Sequence, residues 1–191
     1  MDLRPVGYIL GLLLAAFGAT MLFPMALDLA AGDRHWAAFF ETAVITFVAG
    51  GVLALACANG ARRGLTLQQA FVLTTVTWVA LPVFGALPFM IGAPGATFTH
   101  AVFVAMSGMT TTGSTVFVSL EGLPAGTNLW RGLLQWLGGL GIIIVALLFL
   151  PVMKVGGMQF FRAGGVDSLG KCLPRALDIS AGLIQIYVGL T

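Results

Sequence analysis

The chain has 191 residues, of which 59% are hydrophobic and only 8% are charged. Soluble domains carry about 25% charged residues, so the composition excludes a soluble protein and indicates an integral membrane protein. Two cysteines and two histidines are too few and too scattered for a disulfide framework, a zinc site or a catalytic cluster.

The N-terminal part of the sequence contains two predicted membrane spans. Val6–Leu27 has no charged residue, and its length exceeds the apolar core of a signal peptide, about 7–15 residues, and suits a full span of about 20. Pro24 is expected to kink or end this helix. A polar turn at Asp28–His35 then leads into a second span at about Trp36–Ala58.

A third span lies in the longest charge-free interval, Gly64–Leu120. The interval is too long for one membrane helix, which needs about 20 residues. Thr66–Gln69 has the T-x-x-Q pattern of a capping box, so a helix is predicted to start there and to reach about Met90. Pro82 and Pro88 fall within it and predict a bent helix.

The middle of the same interval is unsuited to a further span. Glycine and proline at Gly92–Gly95 break the helix, and five hydroxyl residues with one glycine fill Thr110–Thr115. Between them is room for a half-helix of about three turns, capped by Thr97 or Thr99 and ending before Gly108. Non-helical backbone is tolerated at membrane depth only where protein buries it or it lines an aqueous cavity. We therefore predict a re-entrant half-helix followed by a pore loop.

The loop residues could select potassium. Selection needs oxygens that replace the hydration shell of the ion, and successive backbone carbonyls could supply them. Gly113 can adopt a positive φ and turn a carbonyl towards an axis, and the negative C-terminal end of the half-helix favours a cation. The alternative is a hydroxyl cluster that joins helices by hydrogen bonds. The predicted potassium site comprises Thr110, Thr111, Thr112, Gly113 and Ser114.

A fourth span is predicted at Gly132–Met153, after a polar stretch at Glu121–Asn128. A basic, glycine-rich loop at Lys154–Pro174 follows, and a new apolar segment begins at about Ala176. With the N-terminus inside, seven basic residues fall on the inner side and two on the outer side, as the positive-inside rule favours. The pore loop then enters from outside.

Several motifs of this sequence are specific in combination. They are Ser107–Thr115, Leu129–Arg131, Gln135–Gly139, Gly141–Ile143, Gly156–Gln159 with Phe161–Arg162, and Ile186–Thr191 with Lys171, Pro174 and Arg175 before it. With these motifs the sequence resembles the Trk/Ktr/HKT superfamily, and most of all its bacterial TrkH-type potassium uptake subunits. The resemblance covers nearly the whole chain.

The resemblance implies an all-α membrane protein whose family builds one pore from four repeats of helix, half-helix, filter loop and helix. It implies two extra N-terminal helices in residues 1–63, a first repeat in residues 64–154, and a cytoplasmic loop with the start of a second repeat in residues 155–191. Gly113 corresponds to the filter glycine. His100 and Val104 stand where relatives often have acidic residues, and Ser114 where they often have alanine. These departures leave open how the half-helix is anchored, with Arg131 as one candidate.

The resemblance also implies a cellular setting. Relatives lie in the bacterial inner membrane, here with a cytoplasmic N-terminus, and work with a cytosolic nucleotide-binding Trk regulatory subunit. A homodimer of the full-length protein is expected, with K⁺ as the transported ion and without nucleic acid or covalent chemistry.

Three functions are compatible with this sequence. The first is potassium transport as part of a pore-forming subunit, and the second is a non-conducting truncated relative that only packs against partner subunits. A secondary transporter is disfavoured, because no aspartate, glutamate, lysine or arginine lies within Gly64–Leu120.

Overall fold

The computed structural model describes residues 2–60 and 65–153, together with residues 182, 185–187 and 189. It confirms the all-α membrane fold, and no strand occurs among these residues. Three helical segments are long and apolar enough to cross a membrane: Arg4–Ala30, Trp36–Ala56 and Gln68–Ile91. The helices are α1 (Arg4–Thr20), α2 (Leu22–Ala30), α3 (Trp36–Ala56), a 3₁₀ turn (Ala58–Gly60), α4 (Leu67–Gly85), α5 (Leu87–Ile91), α6 (Phe98–Met109) and α7 (Ala125–Met153).

The first predicted span forms as α1 and α2, which are separated at Met21. Pro24 has no N–H to donate to the carbonyl four residues earlier, and the N–H of Met21 bonds the carbonyl of Gly18 at 3.2 Å. The helix nevertheless continues to Ala30. The prediction that Asp28 belongs to the polar turn is therefore wrong: Asp28 lies in α2 and is fully buried.

Helices α1 and α3 pack closely because glycines face each other between them. An added Cβ on Gly11 would lie 2.6 Å from the carbonyl oxygen of Gly50, and one on Gly18 would lie 2.9 Å from the backbone nitrogen of Phe47. Small residues permit such approach between membrane helices. The two N-terminal spans therefore form a tight pair.

The predicted capping box opens α4. The Thr66 hydroxyl accepts a hydrogen bond from the N–H of Gln69 at 3.3 Å, and the Gln69 side-chain oxygen accepts from the N–H of Thr66 at 2.8 Å. The predicted bend takes the form of a break at Ala86 between α4 and α5. Pro88 lies just inside α5, where its missing N–H is best tolerated, whereas Pro82 remains inside α4.

Helix α7 contains the predicted fourth span and begins at Ala125. The prediction of a polar connection up to Asn128 is thus wrong for its last four residues, which form the first turn of the helix. The chain divides into two compact units, residues 1–136 and 137–191. The first unit contains α1 to α6 and the start of α7, and the second contains the rest of α7. The predicted loop at Lys154–Pro174 and the segment start at Ala176 lie outside the described residues, and the division into three domains stays a prediction.

Candidate pore loop

The predicted half-helix is α6, which has 12 residues, Phe98–Met109. Of the two candidate caps, Thr97 occupies the N-cap position with extended backbone, but its side chain makes no capping hydrogen bond. The helix ends at Met109, slightly later than predicted, and Gly108 is buried within its last turn. The length of about three turns is confirmed.

Apolar packing anchors α6. Val104 is 2% exposed, and an added Cβ on Gly108 would lie 3.0 Å from Cβ of Leu134 in α7. His100 is on the exposed side of the helix. The two positions at which the family resemblance implies departures therefore take different roles here: Val104 contributes to the core, and His100 does not. Close contact with Leu134 holds the C-terminal end of the half-helix.

The backbone of the loop turns back onto α6. The N–H of Thr111 bonds the carbonyl of Gly108 at 2.9 Å. The N–H groups of Thr112 and Gly113 both donate to the carbonyl of Ser107, at 2.9 and 3.2 Å. The positive φ of Thr111 (59°) turns the N–H groups that follow it towards α6, and Gly113 directly after them also has a positive φ (77°). The predicted positive φ at Gly113 is confirmed, whereas that at Thr111 was not predicted.

These bonds fix the direction of the loop carbonyls. In a planar trans peptide the N–H of one residue points opposite to the C=O of the residue before it. Because the N–H groups of residues 111–113 point to α6, the carbonyls of Thr110, Thr111 and Thr112 point away from it. None of these three carbonyls accepts a hydrogen bond from the described part of the chain. They form a short row of free acceptors beyond the negative end of α6.

Hydroxyl groups flank this row on the exposed side of the loop. Thr110 Oγ1 donates to the carbonyl of Met106 at 2.9 Å and lies 3.0 Å from Oγ1 of Thr112. Thr110, Thr111, Thr112 and Ser114 are exposed, whereas Gly113 is half-buried. An open groove of about 550 Å³ runs along this side; it is lined by Thr99, Val102, Phe103, Met106, Ser107, Thr110, Thr112 and Ser114. All five predicted site residues thus lie together, rich in oxygen and without a carboxylate.

Two residues on α7 pack against the loop and the α4–α5 break, and the sequence pattern alone indicates no individual role for either. An added Cβ on Gly113 would lie 3.4 Å from Nε2 of Gln135, so that side chain lies directly behind the glycine. Trp130 is fully buried and donates from Nε1 to the carbonyl of Gly85 at 3.0 Å. That carbonyl lies at the break between α4 and α5, where the regular helical donor is displaced.

Trp130 also joins α7 to the N-terminal helices. Its ring lies 5.3 Å from that of Phe17 in α1 and 6.5 Å from that of Phe39 in α3, measured between centroids. Both contacts have the tilted or edge-on geometry that aromatic pairs prefer. A tryptophan near a predicted membrane surface suggests an interface anchor, and only the folded chain reveals its buried role.

Three helical segments long and apolar enough to cross a membrane, a short apolar helix and an oxygen-rich loop define the chain as an all-α membrane protein. The family model of the cation transport protein TrkH matches residues 35–190. The chain belongs to the TrkH family of cation transport proteins.

Similar proteins include potassium uptake proteins. The chain is 47% identical over 123 residues to the Trk system potassium uptake protein TrkI of Halomonas elongata, covering 64% of this chain and 25% of that protein. It is 39% identical over its whole length to TrkH of the same organism, covering 40% of that protein. The crystal structure of the potassium transporter TrkH from Vibrio parahaemolyticus matches with a TM-score of 0.83 and 32% identity, over 100% of this chain and 38% of that one. The chain thus spans at most about two fifths of these relatives.

Proposed function

We propose that this chain forms part of the pore-forming subunit of a Trk-type potassium uptake system. The filter segment is Thr110–Ser114, and the potassium ion is the transported species rather than a cofactor. The observation that supports this most directly is the row of carbonyls at Thr110, Thr111 and Thr112, which point away from α6 and accept no hydrogen bond from the described residues. Such oxygens can replace the hydration shell of a monovalent cation.

The hydroxyl-cluster alternative is less consistent with the geometry. Helix-joining hydroxyls would bond to neighbouring helices. Here Thr110 Oγ1 bonds within its own helix end and to Thr112, both on the exposed side of the loop. The backbone of the loop, with two positive φ angles, is shaped by its bonds to α6.

The proposed setting is a bacterial inner membrane with the N-terminus in the cytoplasm. The excess of basic residues on that side supports the orientation. The family resemblance implies a cytosolic nucleotide-binding Trk regulatory subunit as partner and a homodimer of the full-length protein, and we propose both. The chain would contribute residues 1–63 as two leading helices, residues 64–154 as one pore repeat, and residues 155–191 as a loop and the start of the next repeat. Transport would involve no covalent chemistry.

Potassium uptake by a chimera tests the proposal. Residues 1–191 replace the matching segment of TrkH from Vibrio parahaemolyticus, and the chimera is expressed in a bacterial host that lacks its own potassium uptake systems. We expect growth at low external K⁺ and K⁺ uptake that exceeds Na⁺ uptake. The relative with the segment deleted is the negative control. A chimera that reaches the membrane in normal amount but takes up no K⁺ would support the non-conducting alternative.

A further inference from the structure

A buried carboxylate links the N-terminal helices to α7. Asp28, near the end of α2, is fully buried, and its Oδ1 accepts a hydrogen bond from the backbone N–H of Gly126 at 2.6 Å. The two residues are 98 positions apart in the sequence. Oδ2 is also buried and has no hydrogen-bond partner among the described residues. A charged acceptor makes a stronger hydrogen bond than a neutral one, and the positive N-terminal end of α7 favours the negative charge.

The contact leaves no room for a side chain on α7. An added Cβ on Gly126 would collide with both carboxylate oxygens and with the carboxylate carbon of Asp28. The glycine is therefore required by close approach, and the carboxylate sets how near α7 lies to α2. The φ of Gly126 is not in the positive range, so backbone conformation does not explain why this residue is a glycine.

One face of α7 connects the Asp28–Gly126 contact to the pore loop. Residues 126, 130 and 134 are spaced four apart and so lie along the same side of the helix. Trp130 bonds the carbonyl of Gly85, and Leu134 contacts Gly108 at the end of the half-helix. Gln135, the next residue, lies behind Gly113. A shift of α7 at Gly126 would therefore reach the loop within about three turns.

We propose that Asp28 is a positioning residue for ion selection. Its carboxylate docks the N-terminal end of α7 and thereby fixes the distance between Leu134 and Gly108 and the placement of the loop. The two N-terminal helices then contribute to selectivity although they supply no filter residue. The part of this inference that concerns potassium selection rests on the proposed function. The part that concerns the placement of α7 and the loop by Asp28 does not.

Selectivity of uptake is the first test, in the chimera described above. Asp28→Ala should reach the membrane and lose about tenfold in K⁺ over Na⁺ preference, equivalent to about 1.4 kcal/mol. Asp28→Asn fits the same space but lacks the charge, and its K⁺ over Na⁺ preference should fall about threefold. Asp33→Ala is the matched control, because Asp33 Oδ1 accepts a local hydrogen bond, from the N–H of His35 at 3.2 Å, and makes none to α7 among the described residues. Unchanged preference in both Asp28 variants, at normal amounts in the membrane, would overturn the proposal.

A double substitution separates positioning from simple loss of stability. Gly126→Ala alone should reduce the K⁺ preference, because its Cβ meets the carboxylate. In Asp28→Ala/Gly126→Ala the collision is absent, so the preference should be no worse than in Asp28→Ala alone. A purely structural role predicts a lower amount of protein with unchanged preference in the protein that remains.

Thiol reactivity gives a readout that does not depend on transport. With Cys57 and Cys172 replaced by serine, Ser114→Cys in the chimera reports on the exposed side of the loop. Asp28→Ala should change the rate at which the cysteine at position 114 reacts with an impermeant maleimide by at least about threefold. Asp33→Ala should leave that rate unchanged. Equal rates in all three proteins would overturn the positioning role. If the unmodified chimera takes up no K⁺, the proposed function fails while this rate comparison still decides the role of Asp28.

Discussion

Replacing Gly113 with serine is the most informative change to the proposed filter. Gly113 has φ of 77°, a region that costs a residue with a Cβ about 1–2 kcal/mol. The new Cβ would lie 3.4 Å from Nε2 of Gln135, which is ordinary contact with the flexible end of a side chain. Backbone strain is therefore the main cost, too small to unfold the protein but large enough to rotate a carbonyl out of the row. Since 1.4 kcal/mol corresponds to a factor of ten, we expect K⁺ preference over Na⁺ to fall about tenfold.

The matched control is Gly95→Ser. Gly95 also has a positive φ, 52°, and nothing lies within 4 Å of an added Cβ there, so the strain is similar while the site is remote from the loop. Ion preference is measured as the ratio of K⁺ to Na⁺ uptake by the chimera, with the amount of protein in the membrane determined in parallel. A lower ratio for Gly113→Ser only is the expected result. Equal ratios for both variants and the parent would contradict a role of Gly113 in ion selection and leave it as a turn residue.

Three further predictions concern stability, topology and completeness. Trp130→Phe leaves the buried carbonyl of Gly85 without its donor and should destabilise the protein by about 1–3 kcal/mol, seen as a lower melting temperature in detergent. Trp36→Phe, at a position 37% exposed, should change the melting temperature little. Equal effects of the two substitutions would argue against the hydrogen bond between Trp130 and Gly85. In a background with Cys57 and Cys172 replaced by serine, Ser119→Cys should react with an impermeant thiol reagent added outside, and Asn59→Cys should not. The reverse pattern would contradict an orientation with the N-terminus in the cytoplasm. Residues 1–191 alone, reconstituted in liposomes, should show no K⁺-selective flux, because one loop supplies one side of a filter; a barium-sensitive selective flux would instead indicate a homotetramer.

Local features of this fold could be predicted because they depend on few neighbouring residues. The capping box of Thr66 and Gln69 involves atoms three residues apart, and the break near Pro88 follows from one missing N–H. The half-helix was predictable from a short apolar run between helix-breaking and hydroxyl-rich segments. Gly113 was assigned a positive φ because glycine adopts it at no steric cost.

Other features depend on contacts that sequence patterns do not contain. Asp28 follows an apolar run, as a residue of a polar turn would, and only the N–H of Gly126, far along the chain, explains its burial. The start of α7 contains glycine and follows Pro124, so it resembles a loop. The positive φ of Thr111 runs against the preference of β-branched residues, and it is held by the bonds that converge on Ser107.

The location of a bound ion is the most direct test of whether the Thr110–Ser114 loop binds potassium. Crystals of the chimera grown with Rb⁺, a potassium substitute with a strong anomalous signal, would show where the cation binds. We expect an anomalous peak in contact with the carbonyl oxygens of Thr110, Thr111 and Thr112, and loss of that peak in Gly113→Ser. Rb⁺ peaks located only away from this loop, in a chimera that still takes up K⁺, would contradict it.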